Sequence, residues 1–266
     1  MAAGGCAGLD RPVVTPAVPE DLPDRTPADA HTARVREMFD AVAGRYDLAN
    51  HLLSLGLHLR WKRAAVRAAR LRPGDTFLDA CCGTGDLLAA AADAGARVVA
   101  VDVAPRMLER AARRLGDAPA ALVRADICRL PLADGSVDAT AIAFGLRNVA
   151  DPPRALAECH RVLRPSGRLV VLEFGRPAGA LLRRLYDLYS RVVLVPVGGR
   201  LTGRPDAYRY LRDSIRRWPD PDALAGMIRR CGFDDVAYRA LSGGIAVLHT
   251  ARRPAVPGGG GARPPA

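Results

Sequence analysis

A glycine-rich turn between an apolar strand and a helix constrains the fold of this chain more than any other segment. It reads D-A-C-C-G-T-G-D over residues 79–86 and directly follows an apolar run at residues 76–78. Glycine lets the backbone take positive φ and lets a ligand approach closely. The next strand ends in Asp102, which follows Gly83 by 19 residues. A strand–turn–helix–strand unit of that length brings Asp102 beside the ribose of a nucleotide-like ligand held by the turn.

Strands and helices alternate over the middle of the chain, which indicates an α/β fold. The pattern predicts strands at residues 76–80, 97–101, 121–124, 139–144 and 168–174 and helices at residues 86–94, 104–115 and 152–163. A turn, R-P-S-G, is predicted at residues 164–167. Repeated alternation of this kind implies a parallel sheet with helices on both faces.

Helical segments flank this core on both sides. Apolar residues at helical spacing predict two or three helices within residues 31–72, the last from about residue 59 to residue 70. After residue 175, helices are predicted at residues 178–195, 206–217 and 221–230 and closing strands at residues 233–240 and 244–250. Residues 1–30 and 254–266 lack periodicity and are rich in Ala, Pro and Gly, so we expect them to be disordered. The remainder, residues 31–253, is expected to be one domain.

The chain is strongly basic, with a formal net charge of +11 over 266 residues. Arginine supplies almost all of the positive charge, which indicates either a GC-rich coding bias or attraction to an anionic membrane surface or nucleic acid. No run approaches the roughly 18 apolar residues of a membrane span. The start of the chain does not read as a secretory signal. The cysteines are scattered or adjacent, which predicts reduced thiols and no metal site.

The glycine turn fits NAD, FAD or S-adenosylmethionine. The dinucleotide fingerprint G-x-G-x-x-G needs a third glycine, which the segment C-C-G-T-G-D lacks. Asp79 would repel a pyrophosphate but suits a ligand with a cationic amino group and a sulfonium. Asp126, after the third strand, is placed to read an adenine amino group. These features favour S-adenosylmethionine over a dinucleotide.

Four blocks of the chain resemble the ubiquinone/menaquinone biosynthesis C-methyltransferase family, within residues 34–250. They contain Y-D-L-A-N at residues 46–50, the glycine turn, F-G-L-R-N-V at residues 144–149, and Y-R-Y-L at residues 208–211 with S-G-G-I at residues 242–245. The resemblance implies a Rossmann-like class I S-adenosylmethionine-dependent methyltransferase. Its fold would be a mostly parallel seven-stranded sheet with helices on both faces and an N-terminal helical cap. The sheet core at residues 76–174 would bind the cofactor, and residues 175–253 would lie on the substrate side.

The family reaction moves a methyl group from sulfur to a ring carbon of a prenylated quinol. By the resemblance, the substrate is expected to be a naphthoquinol of menaquinone biosynthesis, with a benzoquinol of ubiquinone biosynthesis or another small molecule as the alternative. The turn and the resemblance together assign cofactor contacts to Asp79, Gly83, Thr84, Gly85, Asp102, Asp126, Ile127 and Ala143. Relatives often have serine at the position of Ala143, and Cys81 replaces the first glycine of the general methyltransferase turn.

A cation or a general base would make the ring carbon nucleophilic by favouring the phenolate. Arg147 is our candidate for the cation, although it would also cap a loop through backbone carbonyls. Asn148 would orient a quinol hydroxyl or hold a turn. His58 and His249 are candidate bases, or structural hydrogen-bonding residues. Tyr46, His58 and Tyr210 are expected to line the substrate pocket, where tyrosine is equally compatible with a core position.

A prenyl tail would make the substrate membrane-resident. The apolar, arginine-flanked helix at residues 178–195 would then either lie on a bilayer surface or cover the core. We expect a cytoplasmic protein that contacts the inner face of the cytoplasmic membrane and does not bind nucleic acid, and we leave a homodimer open. Two other functions compete: a methyltransferase for nucleic acid or another small molecule, and a non-catalytic S-adenosylmethionine-binding subunit of a quinone-synthesis assembly. The N-P-P-Y-type tetrapeptide of base-modifying enzymes is absent.

Overall fold

A computed structural model of the protein describes residues 13–16 and 27–255. Its 8 described strands form one sheet in the order β1-β4-β3-β2-β5-β6-β8-β7. All neighbours are parallel except β8, which is antiparallel to both β6 and β7. The strands are β1 (Val13–Pro16), β2 (Thr76–Ala80), β3 (Arg97–Asp102), β4 (Ala120–Arg124), β5 (Val137–Ala143), β6 (Leu163–Phe174), β7 (Asp234–Leu241) and β8 (Ala246–Arg252). The strand order reverses between β2 and β5, and sheets of this kind bind ligands at such a point.

Ten helices surround the sheet in the described part of the chain. They are α1 (Pro27–Val42), α2 (Tyr46–Ser54), α3 (Leu57–Ala69), α4 (Asp86–Ala92), α5 (Pro105–Leu115), α6 (Pro152–Val162), α7 (Ala180–Tyr189), α8 (Val195–Thr202), α9 (Pro205–Arg217) and α10 (Pro221–Arg230). A π-helical turn at Ser190–Leu194 joins α7 to α8. Proline in the first turn starts α5, α6, α9 and α10, as its fixed φ favours. Within the described ranges, no helix is both long and apolar enough to cross a membrane.

Two apolar layers cover the two faces of the sheet. Successive strand residues point to opposite faces, so Phe77 packs with side chains of α3, α4 and α5, whereas Leu78 packs with side chains of α6 and α10. Both residues are fully buried. The doubly wound architecture expected from the alternating pattern is therefore confirmed.

The edges of the fold differ from the sequence expectation at two places. Val13–Pro16 pairs in parallel with β4, so a strand lies inside the range expected to be disordered and the sheet gains one strand beyond seven. Helix α1 begins at Pro27, so its first four residues also lie in that range. The rest of that range and residues 256–266 lie outside the described residues. The predicted turn at residues 164–167 lies inside β6, where the register shifts from Val137↔Leu163 to Ala139↔Arg168. The turn is thus a bulge within one strand rather than the loop before it.

The glycine turn after β2 touches the loop after β5. Cys81 has a φ of 69°, a left-handed conformation that costs a non-glycine residue about 1–2 kcal/mol. A Cβ at Gly145 would lie 2.5 Å from the Cβ of Cys81. Residue 145 must therefore be glycine because residue 81 carries a side chain.

This contact predicts a compensating pair of substitutions. Gly145→Ala should lower the free energy of unfolding by about 1–3 kcal/mol through overpacking. Cys81→Gly should be close to neutral, since it removes backbone strain but adds chain entropy to the unfolded state. The double variant should regain most of the loss, a coupling that urea denaturation of all four proteins measures. Additive losses would show that the two loops do not meet as described.

Candidate functional site

Two cavities lie side by side at the carboxyl edge of the parallel strands. The smaller, of about 80 Å³, is bounded by the glycine turn and the ends of β3 and β4. The larger, of about 370 Å³, lies under α1, α2, α3, α7 and α9. Tyr46, Lys62, Ala143, Phe144 and Asn148 line both. A group held in one cavity would therefore lie next to a group held in the other.

Most of the predicted cofactor residues line the smaller cavity. They are Gly83, Thr84, Asp102, Asp126, Ile127 and Ala143. Gly85 is not among the lining residues. It lies against α5, where an added Cβ would be 3.1 Å from the Cα of Ala111. Gly85 thus allows the close approach of turn and helix rather than the approach of a ligand.

Asp102 is held in place by the backbone on both sides of the cavity. Its two carboxylate oxygens accept hydrogen bonds from the backbone N–H of Gly83 and of Ala104, each at 2.9 Å. Burial raises the pKa of Asp102 to about 6, and the backbone N–H donors oppose this rise. Each oxygen keeps a second lone pair for a further donor, such as a ribose hydroxyl.

Asp79 lies beneath the turn without a partner. It is 1% exposed, and neither carboxyl oxygen has a hydrogen bond within the described residues. Burial raises its pKa to about 8, with Asp102 and Asp86 adding to the rise and Lys62 opposing it. A buried carboxylate is costly unless a cation pairs with it. Asp79 is not among the residues that line either cavity, so its charge would act on a ligand at the turn only across the backbone that covers it.

An ionic network fastens the helical cap to the glycine turn. The Thr84 hydroxyl donates to a carboxylate oxygen of Asp47 on α2 at 2.6 Å. Arg114 of α5 bridges Asp47 and Asp86, and Lys62 of α3 lies 2.6 Å from Asp86. The side chain of Thr84 is thus used to hold the cap, which leaves its backbone for a ligand.

The larger cavity is apolar and aromatic. Its walls include Phe39, Trp61, Phe144, Phe174, Leu182, Tyr186, Leu211 and Ile215. The predicted substrate residues Tyr46, His58 and Tyr210 all line it, as do Arg147 and Asn148. These residues come from four separate parts of the chain, and the structure brings them to one cavity.

Arg147 forms a buried ion pair that the sequence interpretation missed. Its guanidinium lies 3.1 Å from a carboxylate oxygen of Glu173, and the two side chains are 6% and 1% exposed. It also lies over the Phe174 ring, 5.1 Å from the centroid. The Nη1 atom donates hydrogen bonds to Glu173 and to the Phe144 carbonyl, whereas Nε has no hydrogen-bond partner in the described chain. The sequence signal for Glu173 was an acid inside the apolar strand V-V-L-E-F, which requires a buried cation.

Two tyrosines lie near this cation, and sequence reasoning found only one of them. Burial raises the pKa of Tyr210 and brings that of Tyr186 to about 12, while Arg147 opposes both rises. Both hydroxyls therefore stay protonated at neutral pH and can donate hydrogen bonds. Tyr186 was not predicted because it lies in the apolar helix α7.

His58 is a neutral residue of the cavity wall. Burial, followed by the charge of Lys62, lowers its pKa to about 4. Its Nδ1 lies 2.7 Å from the Ser54 hydroxyl. The imidazole is thus uncharged at pH 7 but is a weak base for a phenol, whose pKa is near 10.

Asn148 donates to the Phe144 carbonyl at 3.3 Å and keeps an unpartnered side-chain oxygen within the described residues.

His249 lies outside both cavities, which corrects its placement at the catalytic centre. It is in the middle of β8, 1% exposed, and pairs with Val171 and Tyr238. Its Nε2 is 3.0 Å from the Pro221 carbonyl at the start of α10. Alternation along the strand turns this ring toward α10, away from the carboxyl edge of the parallel strands.

Several known proteins resemble this chain in sequence over most of its length. A family model described as the ubiE/COQ5 methyltransferase family matches residues 28–253. A demethylmenaquinone methyltransferase of Beutenbergia cavernae is 45% identical over 86% of this chain and 93% of its own length. The corresponding enzyme of Mycolicibacterium vanbaalenii is 46% identical over 82% and 94%. A ubiquinone/menaquinone biosynthesis C-methyltransferase UbiE of Acidiphilium cryptum is 46% identical over 83% and 90%.

Solved structures resemble the chain in fold alone. A Thermotoga maritima S-adenosylmethionine-dependent methyltransferase has a TM-score of 0.59 at 20% identity and covers 82% of this chain and 99% of its own. The [4+2]-cyclase SpnF has a TM-score of 0.62 at 19% identity, covering 85% and 97%. A Haemonchus contortus phosphoethanolamine N-methyltransferase solved with S-adenosylhomocysteine has a TM-score of 0.59 at 14% identity, covering 83% and 60%. The predicted class I methyltransferase fold is confirmed.

Asp79 predicts a specific pH dependence of stability. Its pKa of about 8 lies above the ordinary value of 3.8, so the folded protein binds an extra proton between these values. That contribution is complete below about pH 4 and is lost as the pH rises to about 8, by at most about 1.4 kcal/mol per pH unit. Asp79→Asn removes it. Urea denaturation of the ligand-free proteins between about pH 5 and pH 8 should therefore show the wild type losing stability relative to the variant. Parallel profiles would contradict the assignment.

Proposed function

Because the chain belongs to the ubiE/COQ5 methyltransferase family, we propose that it methylates a ring carbon of demethylmenaquinol. The chain is an S-adenosylmethionine-dependent methyltransferase of quinone biosynthesis. One observation carries the choice of a quinol: an aromatic, apolar cavity with a single buried guanidinium shares a wall with the cavity of the glycine turn. The names of the Beutenbergia and Mycolicibacterium relatives support a naphthoquinol over a benzoquinol.

The residues of the smaller cavity fit this cofactor. We propose that the Asp102 carboxylate accepts hydrogen bonds from the ribose hydroxyls and that Asp126 reads the adenine amino group. Asp126 already accepts from the backbone N–H of Cys128 at 2.8 Å, which fixes its orientation. The unpartnered carboxyl of Asp79, which lies beneath the turn and lines neither cavity, would give the cationic end of the cofactor a countercharge at a distance. When bound, S-adenosylmethionine supplies an electrophilic methyl group on a sulfonium sulfur.

The residues of the larger cavity would prepare the ring carbon for attack. A quinol ring packed against Phe144 and Tyr46 would lie against the shared wall, and such positioning is the largest contribution to an in-line displacement. The Arg147 guanidinium would stabilise the phenolate that forms when a neighbouring hydroxyl releases its proton to solvent. The ring carbon that gains the methyl group would release its own proton to solvent as the aromatic ring re-forms. In an apolar cavity, stabilisation of the phenolate is stronger than in water. Tyr210, Tyr186 and Asn148, which line the same cavity, would orient the second hydroxyl.

Glu173 would act as a positioning residue in this scheme. It accepts hydrogen bonds from both the guanidinium and the backbone N–H of Arg147, the latter at 3.2 Å. The ion pair fixes Nη1 on one side, so Nε and Nη2 remain for the substrate. The weak basicity of His58 supports a role in packing and hydrogen bonding rather than in proton removal.

Methyl transfer can be tested directly with methyl-labelled S-adenosylmethionine and a reduced demethylmenaquinone analogue. We expect label in the quinol ring and a much slower reaction with a demethylated benzoquinol analogue. Binding of the cofactor should be measured in the same preparation by calorimetry. Clear binding without label in either quinol would contradict the proposed function, and preference for the benzoquinol would select the alternative substrate.

Substitution of Arg147 tests the role of the cation. Arg147→Met alone would leave Glu173 buried and unpaired, at a cost of about 3–5 kcal/mol, so it is combined with Glu173→Gln. The double variant should lower kcat by a factor of about 10²–10³, as the loss of one oxyanion donor does, with little change in cofactor affinity. The pair of Arg161 and Glu158, 2.8 Å apart and remote from the cavities, provides the control Arg161→Met/Glu158→Gln. A normal kcat in the first double variant would exclude Arg147 from the chemistry.

A prenylated quinol resides in the bilayer, so we also propose that the protein contacts a membrane surface peripherally, on the cytoplasmic side. The apolar, arginine-rich character of residues 178–195 supports this contact.

A further inference from the structure

Large apolar side chains are exposed almost entirely on one part of the described surface. Apart from Tyr238 on β7, they lie on α2 or just after it and along the segment from α7 to α8. This surface, here termed the apolar rim, consists of Leu48, Leu52, Leu55, Leu181, Leu185, Leu188, Val192 and Val197. The two halves adjoin, since the Tyr189 hydroxyl donates to the Leu53 carbonyl and Arg45 donates to the Leu201 carbonyl at 2.9 Å. An apolar concentration of this kind marks an interaction surface.

The apolar rim surrounds the mouth of the larger cavity. Leu55 and Leu185 line that cavity and are nevertheless 87% and 54% exposed. The cavity therefore opens to the outside between the end of α2 and α7. An apolar tail leaving the cavity would emerge among the leucines of the rim.

Helix α7 carries the largest part of the rim on one stripe. Leu181, Leu185 and Leu188 are spaced by four and three residues, so they share one face, and Val192 follows in the π-helical turn. None of the residues of α7 is buried. On the cavity side of that stripe, Leu182 and Tyr186 line the cavity wall. This face is therefore not the inner side of a helix that covers the core.

Positive charge accompanies the rim. Arg183, Arg184, Arg191 and Arg200 are exposed and form no ion pair within the described residues. Asp187, the acid of this segment, is already paired with Arg216 at 3.4 Å. Leucines flanked by unpaired arginines match a surface that is apolar inside and anionic at its boundary.

We propose that the apolar rim docks onto an anionic lipid bilayer and turns the mouth of the larger cavity toward the lipid. The leucines would enter the interface while the arginines contact anionic headgroups. A quinol with a prenyl tail would then pass sideways from the bilayer into the cavity without exposing its tail to water. The identity of the molecule that enters the cavity rests on the proposed function, whereas binding to the bilayer does not.

The apolar part of the surface is tested with Leu52→Ser/Leu181→Ser/Leu188→Ser, three residues that do not line either cavity. Flotation with vesicles of phosphatidylglycerol and phosphatidylcholine in equal parts should show binding of the wild type. The triple variant should bind at least about tenfold more weakly, since burying even part of each leucine contributes to partitioning. Phosphatidylcholine vesicles alone should bind the wild type weakly.

The charge is tested by a matched pair of double variants. Arg184→Gln/Arg191→Gln should weaken binding to the mixed vesicles by roughly thirtyfold, at about fivefold for each arginine near an anionic surface. Arg230→Gln/Arg239→Gln changes the net charge equally on α10 and β7, away from the rim, and should leave binding close to that of the wild type. Equal losses in the two double variants would show that net charge alone drives binding and would overturn the proposed orientation.

Activity separates this surface from the proposed function. On a short, tail-less quinol in solution the triple variant should react at the wild-type rate, and on a long-tailed quinol in vesicles it should react at least about tenfold more slowly. Wild-type protein that binds vesicles but methylates neither quinol would contradict the proposed function and would still support the apolar rim as a bilayer-binding surface. Wild-type protein that methylates the quinol but does not bind anionic vesicles would contradict the proposed bilayer binding. So would a dimer in solution that the triple variant dissociates, because the leucines would then be buried against a second copy.

Discussion

The hydrogen bonds to the carboxylate of Asp102 are the interaction on which the site depends. Two backbone N–H groups, of Gly83 and Ala104, donate to it, and the Val101 carbonyl accepts from the first residues of the turn. The turn after β2 is therefore held in place by hydrogen bonds to the end of β3. Without this support, the N–H groups of a turn rich in positive φ would have no partner. Both cavities would lose their boundary, because the turn and the loop after β5 are in contact.

Buried charge is arranged differently in the two cavities. In the larger, Arg147 is paired with Glu173, so the guanidinium is oriented before any ligand arrives. Beneath the smaller, Asp79 lines neither cavity and has no partner in the described protein, and burial keeps it protonated near neutral pH. The first arrangement fits a group that must be rigid during the reaction. The second costs stability in the free protein, and under the proposed function a cationic cofactor would relieve that cost and so couple its binding to stability.

The sequence predicted the strands around the turn to within about two residues because apolar runs there are bounded by Gly, Pro and Asp. Six of the eight predicted cofactor residues line the smaller cavity, because they follow strand ends that meet at one edge. The sequence did not predict contacts between segments that are distant along the chain. Glu173 acts through a partner twenty-six residues away, and the ring of His249 faces α10 because of its parity within β8. The apolar residues of α7 predicted a helix but left open whether it covers the core or lies at the surface, where its leucines are exposed.

The sheet and the surrounding helices are expected to contribute differently to the selection of the substrate. The shared fold occurs in a [4+2]-cyclase as well as in methyltransferases, so the turn and the sheet alone do not select a reaction or an acceptor. In the larger cavity, strands and their loops provide Arg147, Asn148 and the aromatic floor, while the rest of the wall comes from the N-terminal helices α1–α3, from α7 and the π-helical turn after it, and from α9. Those helices lie outside the sheet and carry the exposed leucines at the mouth. One set of segments thus shapes the acceptor cavity and forms the surface through which the acceptor enters, so the two properties are expected to change together.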